Sequence, residues 1–192
     1  MKLLPLDAPL FTIKEHLNVR AAQLHSTTSY PLDLDFVPFN KLKKEMNKIQ
    51  SNLRPGSTII LEFSCLAPGV KFMGRDFILC AIPFLLRTYK DSEGELKYGR
   101  TTSPLLTRFD TFVALMSSAE LSTIKSIGNI SCWHADSLLQ LEERLSNDRH
   151  LRMTCVQEES MAGWREKKFM LAWEAGLLRT GFLTRWRVVI VK

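Results

Sequence analysis

The residue types of a hydrolase triad occur together once, in His134-Ala135-Asp136-Ser137. A working triad gathers its nucleophile, base and orienting carboxylate from distant segments. Four neighbours at a strand-to-helix junction therefore read as a surface histidine followed by a helix cap. The acidic pairs Glu142-Glu143 and Glu158-Glu159 read as solvated surface on a helix and at a turn. His16, His25, His134 and His150 lack metal-ligand spacing, and neither GxGxxG, GxxxxGK[ST] nor HExxH occurs. Cys65, Cys80, Cys132 and Cys155 form no CxxC unit. Each lies in a stretch that reads as a strand with apolar neighbours, the setting of a free thiol acting as a small hydrophobe. These absences predict a chain with no catalytic centre, no metal and no cofactor.

Charge points to binding instead. Lys and Arg number 26 against 20 Asp and Glu, a net +6 with pI near 9.3. The excess is uneven. Residues 41–54 carry Lys41, Lys43, Lys44, Lys48 and Arg54 against Glu45. The C-terminal stretch carries Arg165, Lys167, Lys168, Arg179, Arg185, Arg187 and Lys192 against Glu166 and Glu174. Residues 131–160 between them are net acidic. If the two basic stretches share a face, they make a surface for anionic membrane, at about 1 kcal/mol per cation near the leaflet, or for RNA phosphates.

Positioning that surface requires a core, and 192 residues at 45% apolar content supply one. Residues 1–39 hold Pro5, Pro9, Pro31 and Pro38 with weak periodicity and are expected to form a partly flexible arm. Residues 40–192 are expected to form one domain. Leu42, Met46, Ile49 and Leu53 step at helical period; Ile59, Leu61, Phe63 and Cys65 alternate as a half-buried strand. Phe77–Tyr89, Thr107–Met116, Asn129–Trp133 and Leu151–Cys155 read as further strands. Helices are expected over 117–128, from Asp136, and from Ser160 to about Ala175, with a strand closing the chain. Half-polar strands favour an α+β fold, a mostly antiparallel sheet with three to four helices packed on one face.

Inside the arm, Tyr30-Pro31-Leu32-Asp33-Leu34 resembles the tyrosine-proline late-domain motif, with Tyr30, Pro31 and Leu34 as anchors for a host budding adaptor. The stretch Trp164-Arg165-Glu166-Lys167-Lys168-Phe169-Met170-Leu171, with Gly176-Leu177-Leu178 and Trp186-Arg187-Val188-Val189-Ile190, resembles the end of rhabdovirus matrix proteins. Thr58–Phe63 and Phe77–Leu86 look like opening strands of matrix proteins in related non-segmented negative-strand RNA viruses. The lysine-rich N-terminus and Pro-Pro-x-Tyr motif usual in animal rhabdoviruses are missing.

The resemblance implies a viral structural protein that self-associates as a homo-oligomer, binds anionic membrane and nucleocapsid or RNA, and supports assembly and budding. It would reside in the virion and at the inner face of the host membrane. Alternatives are an RNA-binding viral accessory protein, such as a silencing suppressor or movement protein, and a cellular adaptor or scaffold. Met1-Lys2-Leu3-Leu4 is interrupted by Pro5, Asp7 and Pro9, and the ten-residue apolar run Phe77–Leu86 is too short to span a bilayer. Neither secretion nor a transmembrane segment is expected.

Overall fold

The computed structural model describes residues 32–52, 55–85, 88–90, 96–98, 102–117 and 123–191. The four-stranded sheet has the order β1-β2-β6-β5, from β1 (Leu32–Asp33), β2 (Thr58–Leu66), β5 (Thr123–Asn129) and β6 (Leu183–Val191). β1 pairs parallel with β2, whereas β6 runs antiparallel to both β2 and β5. Three strands therefore share one direction, and β6 alone opposes them from a central position. A small hairpin of β3 (Thr88–Lys90) and β4 (Leu96–Tyr98) stands apart from this sheet.

Helices cover both faces. α1 (Phe39–Asn52) and α4 (Phe109–Ser117) pack Leu42, Met46, Phe112 and Met116 against Leu61, Phe63, Cys65, Val188 and Ile190. Period 2 along the strands puts these sheet residues on one face. Phe63 stacks on Phe112 with ring centroids 3.8 Å apart, and Phe109 lies 4.2 Å from Trp186. The second core joins α2 (Arg75–Leu85), α3 (Ser103–Leu106), α5 (Ser131–Asn147) and α6 (Arg149–Arg179) to Leu183. The expected mostly antiparallel sheet with helices on one face gives way to a mixed α/β layer structure. β2, buried on both faces from Leu61 to Cys65, fits a mixed or parallel sheet better than a solvated antiparallel one, while β5 is largely exposed.

Several expected strands are helices. Phe77, Cys80, Ala81 and Phe84 recur at helical spacing along α2 and enter the core. A continuous apolar run fits a buried strand equally well, with Pro83 confining that reading to a bulged or edge strand. Proline has no N–H to offer the carbonyl four residues earlier. That carbonyl, on Leu79, accepts from Trp173 Nε1 at 3.1 Å instead. In α4, Phe109, Phe112, Val113 and Met116 form the core stripe, although alternation of Phe109, Thr111, Val113 and Leu115 suggested a strand. Leu151 and Cys155 lie one helical turn apart in α6. Asn129 ends β5, and Trp133 belongs to α5. The expected helix over 117–128 is overtaken by β5, with 118–122 outside the described residues.

The helix over 40–54, the strands over 59–65 and at the chain's end, and the helix following Ser160 are present. Ser160 interrupts α6 at φ 78° and ψ 168°, and its Oγ accepts from Gly163 N at 3.3 Å, capping the second segment. α6 runs three residues past Gly176, and Gly181, at φ 77°, supplies the left-handed turn into β6.

Candidate functional site

In open α/β sheets, ligands bind outside the carboxyl ends of parallel strands. Here the densest polar chemistry gathers near that edge. β1 ends at Asp33, opposite Glu62, and the chain turns through a 3-10 helix, Leu34–Phe36, towards α1. Asp35 Oδ1 accepts the backbone N–H of Ser64 at 2.6 Å, so a side chain continues the β2 edge after β1 has stopped.

Arg185, opposite Ser64 on β6, is buried at 2% exposure. Its Nη1 donates to Asp35 Oδ2 at 2.9 Å and to Ser64 Oγ at 3.1 Å. Its Nη2 donates to Asp33 Oδ2 at 2.6 Å and to Glu62 Oε2 at 3.1 Å. Four of its five donors are thus engaged, while Nε meets no acceptor among the described residues. Burial alone pushes the guanidinium pKa down, but Asp33, Asp35 and Glu62 reverse this and raise it overall, holding the group charged.

One step along β6, on the same face, Arg187 grips Glu62 Oε1 through Nε at 2.8 Å and Nη2 at 2.6 Å. Its guanidinium carbon lies 5.2 Å from the Trp133 ring centroid. The start of α5 closes the group. Ser131 Oγ donates to Asn129 Oδ1 at 2.6 Å and accepts from the Arg185 backbone N–H at 2.9 Å.

Asp33, Asp35, Glu62, Ser64, Ser131 and Trp133 were not singled out in the sequence. Alternation along β2 put Glu62 and Ser64 on a solvent face, yet they are 6% and 2% exposed because helices cover that face too. The close pair Asp33 and Asp35, inside the stretch expected to form an arm, was the available signal.

The candidate cations are dispersed. Lys41, Lys43, Lys44 and Lys48 are exposed on α1, which covers one sheet face; Arg165, Lys167, Lys168 and Arg179 lie on α6, which belongs to the core on the other. Lys168 Nζ pairs with Glu142 at 3.3 Å and stands 5.0 Å from the Trp164 ring; Arg179 pairs with Asp136 at 2.6 Å. Arg185 and Arg187 are the ion-paired residues described above. Leu34 is 2% exposed inside the core, while Arg54, Tyr30 and Pro31 lie outside the described residues. His134, Asp136 and Ser137 fall within α5, where Ser137 Oγ donates to Trp133 O at 3.0 Å.

Cys65, Cys80 and Cys155 are buried, as expected, but Cys132 is exposed in the first turn of α5. Burial raises the Cys65 thiol and pushes Cys80 up to about 11. No group of ligands that could hold a metal occurs among the described residues, and none of their helices is long and apolar enough to cross a membrane.

No family model matches the chain, and no curated protein does. Solved structures do. Phosphoethanolamine N-methyltransferase 2 of Haemonchus contortus, bound to phosphomonomethylethanolamine and S-adenosylhomocysteine, superposes with a TM-score of 0.56 at 11% identity, over 84% of this chain and 32% of its own. Mycolic acid cyclopropane synthase CmaA1, complexed with S-adenosylhomocysteine, gives 0.59 at 10% identity, over 88% of this chain and 58% of its own. Cyclopropane synthase MmaA2 of Mycobacterium tuberculosis gives 0.54 at 11% identity, over 84% and 55%. The chain shares its fold with these enzymes.

It spans between a third and three fifths of their lengths. The expectation of a viral matrix protein, with its virion placement and budding role, is overturned by these neighbours. So is the expectation of a non-enzyme, which rested on missing motifs alone.

The fold raises the question of S-adenosylmethionine, and the residues gathered at the carboxyl edge do not fit it. The cavity at the carboxyl edge, lined by Leu34, Asp35, Ser64, Ser103 and Thr107 among others, measures about 10 Å³. That is room for about one water, whereas small-molecule pockets measure about 300–1,000 Å³. A broader concavity of about 500 Å³ lies against Gln140, Glu143, Arg144, Asn147 and Asp148 on α5 and its C-terminal cap, away from the cluster.

Proposed function

We propose that this chain acts in S-adenosylmethionine-dependent methyl transfer. The observation that supports the reading is the superposition of 84–88% of the chain on enzymes crystallised with S-adenosylhomocysteine. The mixed sheet, with β1, β2 and β5 sharing one direction and helices on both faces, resembles the open α/β frame on which such sites are built at the carboxyl edge.

What the chain's own residues do is structural and electrostatic. Arg185 ties β1, β2 and β6 together at that edge. Arg187, half-buried, orients Glu62 and lies beside the Trp133 ring, 46% exposed, at the mouth of the same region. The cluster at the carboxyl edge leaves no space for the methyl donor, so its residues are given no part in the transfer itself.

The test uses the full chain. Isothermal titration with S-adenosylhomocysteine is expected to show saturable binding. Incubation with methyl-labelled S-adenosylmethionine and a panel of amine, carboxylate and lipid acceptors is expected to label one class. Absence of both at millimolar ligand rejects the reading.

A further inference from the structure

We infer that the turn between β1 and α1 is a sealed structural lock, and that any adenosyl ligand this protein takes contacts other residues. The inference rests on the methyl-transfer reading only for the choice of ligand; the geometry stands without it.

In doubly wound folds the turn after a parallel strand is where backbone amides meet a ligand, and glycine lets the chain approach it closely. Here the turn is Leu34-Asp35-Phe36-Val37-Pro38, and the chain has no glycine before Gly56. Two of its amides are taken up within the turn itself: Asp35 N donates to Asp33 Oδ1 at 3.0 Å and Val37 N to Leu34 O at 3.0 Å. Pro38 has none. Leu34 and Asp35 are 2% and 1% exposed.

α3 closes the outside. Ser103 Oγ donates to Val37 O, and Ser103, Pro104 and Leu105 are buried. Beneath, Arg185 pairs with all three carboxylates that the turn and β2 present, Asp33, Asp35 and Glu62, and Arg187 shares Glu62. Opening this turn to a ligand would pull Asp33 and Asp35 away from a buried guanidinium, and breaking a buried ion pair is strongly destabilising. The acidic residues that might be taken for ligand contacts are therefore positioning residues: they hold β1, β2 and β6 in register.

The test is photolabelling of the full chain with an azido-adenosyl analogue of S-adenosylmethionine, competed by S-adenosylhomocysteine, followed by peptide mapping. Competable label confined to peptides outside residues 32–38 and 62–66 is the expected result, and leaves the methyl-transfer reading standing. Competable label on Asp33–Val37 or Glu62–Leu66 overturns the lock while keeping that reading. No competable label, with no heat of binding, rejects the reading and agrees with a closed turn. A variant check accompanies it. Asp35→Asn is expected to lower the unfolding midpoint while changing S-adenosylhomocysteine affinity less than twofold; a tenfold loss of affinity in folded protein would place Asp35 in a ligand site.

Discussion

Asp35 bonds Ser64 through a 2.6 Å contact from the Ser64 amide to a side-chain oxygen, where a longer β1 would have offered a backbone carbonyl. The other carboxylate oxygen holds Arg185. One residue thus ends a strand and anchors the charge that joins the sheet's centre to its edge.

Removing Arg185 should therefore be far more damaging than removing Arg187. Arg185→Met strands Asp35 in the interior and leaves Glu62 to Arg187 alone, with an expected loss of about 3–5 kcal/mol. Arg187 is 32% exposed at its side chain, and Glu62 keeps Arg185 without it, so Arg187→Ala should cost about 1 kcal/mol. Urea unfolding of both variants checks the contrast; equal losses would contradict it.

Phe112 fills the face under α4 and stacks on Phe63 at 3.8 Å. Phe112→Ala should lower stability by about 3–5 kcal/mol through lost burial and a residual cavity. The chemical denaturation midpoint is the readout, and a change below 1 kcal/mol would show that α4 does not seal this core.

Ser160 occupies a backbone region that is essentially reserved for glycine, at φ 78° and ψ 168°. Ser160→Gly relieves about 1 kcal/mol of strain or more and gives up only a few tenths as a cap. The melting temperature should rise. Ser160→Ala retains the strain, loses the cap and should melt lower.

Cys80 carries a pH signature. Its folded pKa, about 11, exceeds the ordinary thiol value of 9.0 because burial disfavours the thiolate, with Asp76 adding to the effect. The unfolded chain therefore releases this proton first as pH rises. Its contribution is complete below about pH 9 and declines between about 9 and 11. Cys80→Ala should flatten that part of the stability profile. At pH 8 a thiol reagent should modify exposed Cys132 rapidly, and Cys65, Cys80 and Cys155 only on unfolding.

Legibility tracked periodicity. Leu42, Met46 and Ile49 fit only a helix, and Ile59 to Cys65 only a strand, and the structure has both. The runs in α2 and α4 satisfied two periods at once; the second layer of helices, invisible to local pattern, decided for the helix. The candidate site was hidden for the same reason. Glu62 and Arg187 look like solvent-facing partners of an alternating strand until α5 is laid over them. Arg185 was noticed, but as a free cation, because its carboxylates lie 123 to 152 positions away along the chain.

The central place of β6 has a consequence for synthesis. Residues 183–191 bridge β2 and β5, and every residue of β2 has a partner there, with Glu62 and Arg187 separated by 125 positions. On a ribosome, α1, β2 and β5 emerge with nothing between them until those nine residues are made. The sheet can only zip shut afterwards, a long-range closure expected to be slow. Meanwhile the apolar flank of β2 stays open to chaperones or to misassembly with another nascent copy.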